Sequence, residues 1–273
     1  MVPVVKSQMM VHAVLTQIKD DQGCQSGYGF CGLSNDTNFD DGIQVINTCQ
    51  NPYTLALTFD DDEYDIKATF FVNGHNENDY CIYDFAEILQ RAYSSGHLIA
   101  HHTWSHPYLT GVSADEVNYQ MEFLNEAFKK ILGVTPKYFR PPYGDGVNNA
   151  NVRSAMLANG MDKLIIWDVD TEDSMSGVTE SDSEEKFTNG ISDQQPHIVL
   201  SHDRIPSTCN QLAPFEISQA IDYGYWFDTV AGCNGDWDSS NWYNIDTGYF
   251  GTRDETWTCN YEDMHDSYDT SPQ

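Results

Sequence analysis

Short apolar runs alternate with amphipathic stretches through the middle of the chain, the pattern of an α/β protein. Thr54-Leu55-Ala56-Leu57-Thr58-Phe59 is a β-prone run that ends abruptly in Asp60 and Asp61, as a buried strand does when its carboxyl end opens into a crevice. Residues 68–72 predict another strand, and residues 82–95 predict a helix stopped at Gly96. The run His97-Leu98-Ile99-Ala100 leads into a group of histidines. Residues 113–132 predict a long helix, with Ser113 as cap, Glu116 completing a capping box and Gly133 at the end. Further on, residues 151–159 predict a short helix closed by Gly160, and residues 164–169 a strand. The polar stretch 175–195 predicts one helix around residues 183–187. A strand over 197–201 and a helix over 214–223 follow. The tail after Gly248 is acidic and poor in aliphatic residues, so it is expected to be irregular or disordered.

Candidate chemistry collects at the ends of these runs. Adjacent acids at a strand end point in different directions, so of Asp60 and Asp61 one can bind a cation while the other does separate work. His102 and His106, in His102-Thr103-Trp104-Ser105-His106, stand at i and i+4, which share one side of a helical turn and can grip one ion. One carboxylate and two imidazoles leave a coordination position open, the catalytic form of a zinc site. His97 and His101 lie close in sequence and compete for the same assignment. Taken singly, a doubled Asp is an ordinary turn or cap, and neither an arginine before a Pro-Pro turn nor a loop acid marks a site.

Three more segments change that balance. They are Phe139-Arg140-Pro141-Pro142-Tyr143-Gly144, Trp167-Asp168-Val169-Asp170-Thr171-Glu172-Asp173 and Ile198-Val199-Leu200-Ser201-His202-Asp203. In this order and spacing the five motifs resemble those of the NodB-like polysaccharide deacetylases, carbohydrate esterase family four, and especially the fungal chitin deacetylases. The resemblance runs from about Cys49 to Tyr243. It implies a distorted, incomplete (β/α) barrel and metal-dependent hydrolysis of N-acetyl groups on chitin or another N-acetylglucosamine polymer. By the same resemblance Asp60 is the general base, and Asp61, His102 and His106 hold one divalent ion, zinc or, in the same ligands, cobalt. Arg140 orients Asp60, the Tyr143 backbone amide donates to the oxyanion, and Leu200 lines the pocket for the acetyl methyl. His202 is the general acid and Asp170 its tuning carboxylate. Amide hydrolysis needs an activated water, a stabilised oxyanion and a protonated leaving amine, and these residue types meet the three needs.

Two departures bear on activity. The family places a helix between the paired acids and the next strand, but only Asp62-Glu63-Tyr64-Asp65-Ile66-Lys67 stands there. Six residues cannot hold the dozen or more that a parallel crossover requires, so the first β/α unit is expected to be rearranged. Ser174 stands where an aromatic residue commonly follows Asp173, which thins one wall of the acetyl pocket. Beside the chitin reading stand an O-deacetylase acting on a polysaccharide such as xylan and a non-catalytic polysaccharide binder.

Composition fits a secreted or cell-wall protein acting on carbohydrate. With 13 basic and 42 acidic residues the formal charge is −29, which repels nucleic acid. The seven cysteines form no CxxC pair, so a thioredoxin-like centre is not indicated and an oxidising compartment is. Cys24 with Cys31 could close a small loop, and the resemblance implies Cys49 with Cys233. Cys81, Cys209 and Cys259 stay open, and an odd count leaves one outside any intrachain pairing. Residues 1–15 make a poor secretory h-region and are too short to span a membrane. The expected division is a 1–48 extension, a 49–247 catalytic domain and a 248–273 tail, in a monomer.

Overall fold

The computed structural model describes residues 41–57, 66–76 and 80–259. The expectations resting on Asp60, Asp61 and the Cys24–Cys31 loop therefore lie outside the described residues. The strands are β1 (Gln44–Ile46), β2 (Thr54–Ala56), β3 (Thr69–Val72), β4 (Leu98–His101), β5 (Val134–Pro136), β6 (Tyr138–Phe139), β7 (Lys163–Ile165), β8 (Val169–Asp170), β9 (His197–Leu200), β10 (Trp226–Phe227) and β11 (Tyr243–Ile245). The main helices are α1 (Ala86–Ser94), α2 (Ala114–Leu132), α3 (Ala150–Ala158), α4 (Glu180–Ile191) and α5 (Ala213–Asp222). The chain divides into two compact units, one of residues 1–68 and 166–235, the other of residues 69–165 and 236–273.

The first unit contains a parallel sheet in the order β10-β2-β9-β8. Leu55, Ala56, Ile198 and Val199 are fully buried, as in a sheet covered on both faces, which explains why these strands read as continuous apolar runs. The helix expected around residues 183–187 extends over the whole of α4, because Thr179 and Asp182 form a capping box ahead of it. Phe187 and Ile191 bury its inner face. α5 is entered through a widened π-turn, Thr208–Leu212. Cys49 and Cys233 are disulfide-bonded, as the resemblance implied.

The second unit contains the parallel order β3-β4-β6-β7 and an antiparallel pair, β5 with β11. α2 buries Val117, Met121, Leu124, Phe128 and Ile131, alternating steps of four and three that trace one helical stripe. The Ser113 hydroxyl caps α2 by accepting from the Glu116 amide, but the Glu116 carboxylate accepts from Gln120 instead of closing the expected box. Residues 248–259 have no helix or strand, yet they are fastened. Cys259 is bonded to Cys81, Arg253 Nη2 lies 2.6 Å from Asp84 Oδ1, and Trp257 is buried against Tyr83. Cys209 stands outside both bridges and its thiol donates to the Asp203 carbonyl at 2.7 Å.

β2 and β3 take their partners in different units, so they are not the adjacent parallel pair that needed a crossover. No helix occurs among the described residues between them. No helix among the described residues is long and apolar enough to cross a membrane.

Candidate active site

The candidate residues fall into two groups, one in each unit. In each sheet the parallel strands carry them on the loops at their carboxyl edge, where open α/β sheets place ligands.

In the second unit the loop after β4 carries His102 and His106, and the loop after β6 carries Arg140 and Tyr143. The two histidine Nε2 atoms converge to 3.1 Å. A helical turn does not bring them there, contrary to the expectation from their spacing. The loop is non-helical, with Thr103 at φ 70° and His106 at φ 59°, left-handed conformations uncommon for branched or bulky residues and typical of strained functional loops. His102 Nδ1 donates to the Arg140 carbonyl at 2.7 Å, so Nε2 is the nitrogen left with a lone pair. His101, one of the two competing candidates, is fully buried and structural. Its Nε2 donates to the Met121 carbonyl, its Nδ1 accepts from the Thr103 amide, and burial pulls its pKa down to about 4.

Two nitrogens bound to one tetrahedral zinc stand about 3.3 Å apart, so the His102–His106 pair fits a divalent ion. Among the described residues no cluster of three or more ligating side chains exists, and the expected third ligand, Asp61, lies outside them.

Arg140 is buried, with its guanidinium 4.0 Å over the Phe71 ring. Tyr143 also takes a left-handed conformation, φ 59°, followed by Gly144 at φ 66°. Its ring stacks on Tyr108 with centroids 3.9 Å apart and meets the edge of His106 at 4.6 Å. The Tyr108 loop is tied down by Thr110, which donates through both its amide and its hydroxyl to Asp145. Nothing in the sequence pattern pointed to Tyr108, because that position depends on how two separate loops stack.

In the first unit His202 follows β9, and its carboxylate partner is Asp173. Expectation gave that place to Asp170, but His202 Nδ1 lies 2.6 Å from Asp173 Oδ1, and the His202 amide donates to Asp173 Oδ2 at 2.7 Å. The Asp170 carboxylate instead accepts from the Trp167 indole and the Glu172 amide. Burial pushes the Asp173 carboxyl up, but the donors from His202 and from the Thr208 hydroxyl outweigh it and hold the group below the usual range. Asp173 is thus an ionised acceptor and His202 Nδ1 a donor.

A second network joins the loops after β8 and β9. Thr171 Oγ1 lies 2.9 Å from the Leu200 carbonyl and 3.1 Å from Ser201 Oγ, and Ser201 Oγ lies 2.8 Å from Glu216 Oε1. Ser201 Oγ donates to Glu216 Oε1. Glu216 is completely buried, its Oε2 meets no hydrogen-bond partner among the described residues, and burial drives its pKa well upward, so the carboxyl is held toward its protonated form.

Parallel strands with their chemistry on strand-end loops define a class of α/β protein, and comparison with known sequences narrows it. The polysaccharide deacetylase family profile matches residues 38–164. A chitin deacetylase of Colletotrichum lindemuthianum is 33% identical over 71% of this chain and 84% of its own length. One from Pestalotiopsis sp is 34% identical over 73% of this chain and 69% of its own. The chain belongs to the polysaccharide deacetylase family.

It spans 40% of the length of chitin deacetylase 2 of Cryptococcus neoformans, to which it is 37% identical. The solved structure of the Colletotrichum enzyme superposes with a TM-score of 0.66 at 33% identity, covering 74% of this chain and 96% of that one. A family 4 acetyl xylan esterase from Clostridium thermocellum, solved in complex with a cobalt ion, gives a TM-score of 0.53 at 27% identity, over 66% of this chain and 89% of that one. The α/β fold is thus that of the NodB-type deacetylases.

Proposed function

We propose that this chain removes N-acetyl groups from chitin or chito-oligosaccharides and releases acetate. The observation that carries the reading is the His102–His106 pair, whose Nε2 atoms converge to 3.1 Å while the Arg140 carbonyl fixes the His102 tautomer. His102, His106 and Asp61 are assigned as ligands of one divalent ion, zinc or cobalt. A divalent ion held there supplies Lewis acidity toward an acetyl carbonyl.

The chain's own residues do the rest. Asp60 removes a proton from the attacking water, and Arg140 orients that carboxylate. The Tyr143 amide donates to the oxyanion as it forms. His202 gives a proton to the departing amine nitrogen, with its other ring nitrogen donating to Asp173. Asp170 acts at longer range on the same imidazole, and Leu200 borders the acetyl methyl. We assign the protein to the outside of the cell or its wall, a reading that the two disulfides among the described residues support, and take it as a monomer of the 49–247 catalytic domain with its extension and tail.

The same residues serve an ester as well as an amide, and the likeness to the acetyl xylan esterase supports an O-deacetylase as the second reading. The test is acetate release from chitopentaose and from acetylated xylan, with added zinc, with chelator, and with Asp60→Asn. Release from chitopentaose that requires metal and Asp60 supports the proposal. Release from xylan alone moves the assignment to the esterase, and no release from a folded, zinc-loaded chain leaves a polysaccharide binder.

A further inference from the structure

We propose that Thr208 is a positioning residue of the acid half of the site: its hydroxyl fixes the Asp173 carboxylate in the orientation that holds the His202 ring. This rests on the deacetylase reading for its catalytic consequence, though not for its geometry.

Asp173 Oδ2 accepts from the His202 amide and from Thr208 Oγ1, both at 2.7 Å, while Oδ1 accepts from His202 Nδ1 at 2.6 Å. Three donors in fixed directions determine both the position of the carboxylate and its rotation about the Cβ–Cγ bond. Two of the three come from His202, one from its ring and one from its backbone amide just after β9; Thr208 supplies the one donor from outside His202, on the turn that opens α5. That turn is wound as a π-helix, with the Ala213 amide reaching back to the Thr208 carbonyl. Such turns are rare and recur at functional sites, because one extra residue per turn redirects side chains. Here the widened turn carries Thr208, a residue 1% exposed, whose hydroxyl is directed at a carboxylate whose side chain is 3% exposed. A buried hydroxyl on a buried carboxylate has no competing water, so its direction is dictated by the fold.

Removal of that hydroxyl leaves Asp173 Oδ2 held by the His202 amide alone, so the carboxylate rotates more freely and Nε2, the nitrogen assigned to protonate the leaving group, is less well aimed. The expected loss falls on turnover and not on binding.

The test compares Thr208→Val, which keeps the shape and loses the hydroxyl, with Thr208→Ser, which keeps the hydroxyl. On chitopentaose with zinc, Thr208→Val is expected to lower kcat about tenfold with KM within about twofold, and Thr208→Ser to recover most of the loss. A readout independent of turnover is the low-field proton signal of His202 Nδ1–H, assigned by its absence in His202→Gln. It is expected to be sharp in the wild type and Thr208→Ser and broadened in Thr208→Val. An unchanged signal in Thr208→Val, or equal kcat losses in the valine and serine variants, overturns the proposal. A wild type that releases no acetate but shows the expected pattern of signals overturns the deacetylase reading and leaves the positioning role standing.

Discussion

Glu216→Gln isolates the proton that burial keeps on this carboxyl. The glutamine amide oxygen can accept from Ser201 Oγ as Oε1 does, so at pH 4.5 the variant should match the wild type within about 1 kcal/mol. Above that pH the two should diverge. A glutamate in the unfolded chain titrates near pH 4.3, whereas burial holds the folded group well above the ordinary value. A group whose folded pKa is raised contributes stability that is fully present below the unfolded pKa and lost as pH rises toward the folded one. Within that window the unfolded state has released a proton that the folded state keeps, so the wild type loses about 1.4 kcal/mol per pH unit from this group alone. Glutamine has no such proton, and the stability difference should grow in its favour by that amount per unit. Urea unfolding followed by tryptophan fluorescence at pH 4.5, 6 and 7.5 measures it. Parallel stability curves for the two proteins would refute the raised proton affinity of the buried Glu216.

Other consequences are open to direct measurement. His197 Nδ1 and Nε2 lie 2.9 and 2.8 Å from Asp168 and Asp193; burial lowers its proton affinity, but the two carboxylates more than reverse this and the pKa is raised. His197→Gln should therefore cost about 1 kcal/mol at pH 6 in chemical denaturation, and less by pH 9, once the folded group has lost its charge. Asp173→Asn should lower kcat on chitopentaose at least about a hundredfold and Asp170→Asn much less, since only Asp173 touches the imidazole; equal losses would return the tuning role to Asp170. Graded reduction with alkylation and mass spectrometry should open the partly exposed Cys81–Cys259 bridge before the buried Cys49–Cys233 bridge, and the reverse order would contradict the burial.

What could be read in the sequence followed from local rules. The α2 stripe, its Ser113 cap and Gly133 stop, and the buried runs of β2, β4 and β9 are periodicity and end chemistry, which need no knowledge of tertiary structure. The length of α4 is hard to read because its sequence is polar and acidic: of its buried residues, Ser183, Phe187 and Ile191, only two are apolar, and its start depends on the Thr179 cap. Asp170 and Asp173 are both acids of one motif, and the choice between them depends on which carboxylate faces the end of the neighbouring strand. The capping of Asp173 by Thr208 spans 35 residues and a π-turn that no local pattern announces. The sequence leaves the Cys81–Cys259 pairing open for the same reason, since it is a property of how the tail packs.

The histidines show most plainly where the missing information resides. His101, His102, His197 and His202 are the same side chain, and in the sequence His97 and His101 compete with His102 and His106 for the ligand role. Their partners separate them. A backbone amide donating to one nitrogen and a carbonyl accepting from the other leave buried His101 neutral and fully engaged, which suits only a structural role. A single carbonyl on Nδ1 of His102 fixes the tautomer and directs Nε2 toward His106, the arrangement a ligand needs. Carboxylates at both nitrogens of His197 make a pH-dependent clamp with neither nitrogen available for chemistry. One ionised carboxylate on Nδ1 of His202 orients the ring, the arrangement that the proposed general acid needs. Function in this fold is therefore assigned by the second neighbour of each imidazole, and substitutions at Asp173 and Thr208 should change what His202 does without altering any residue that touches the substrate.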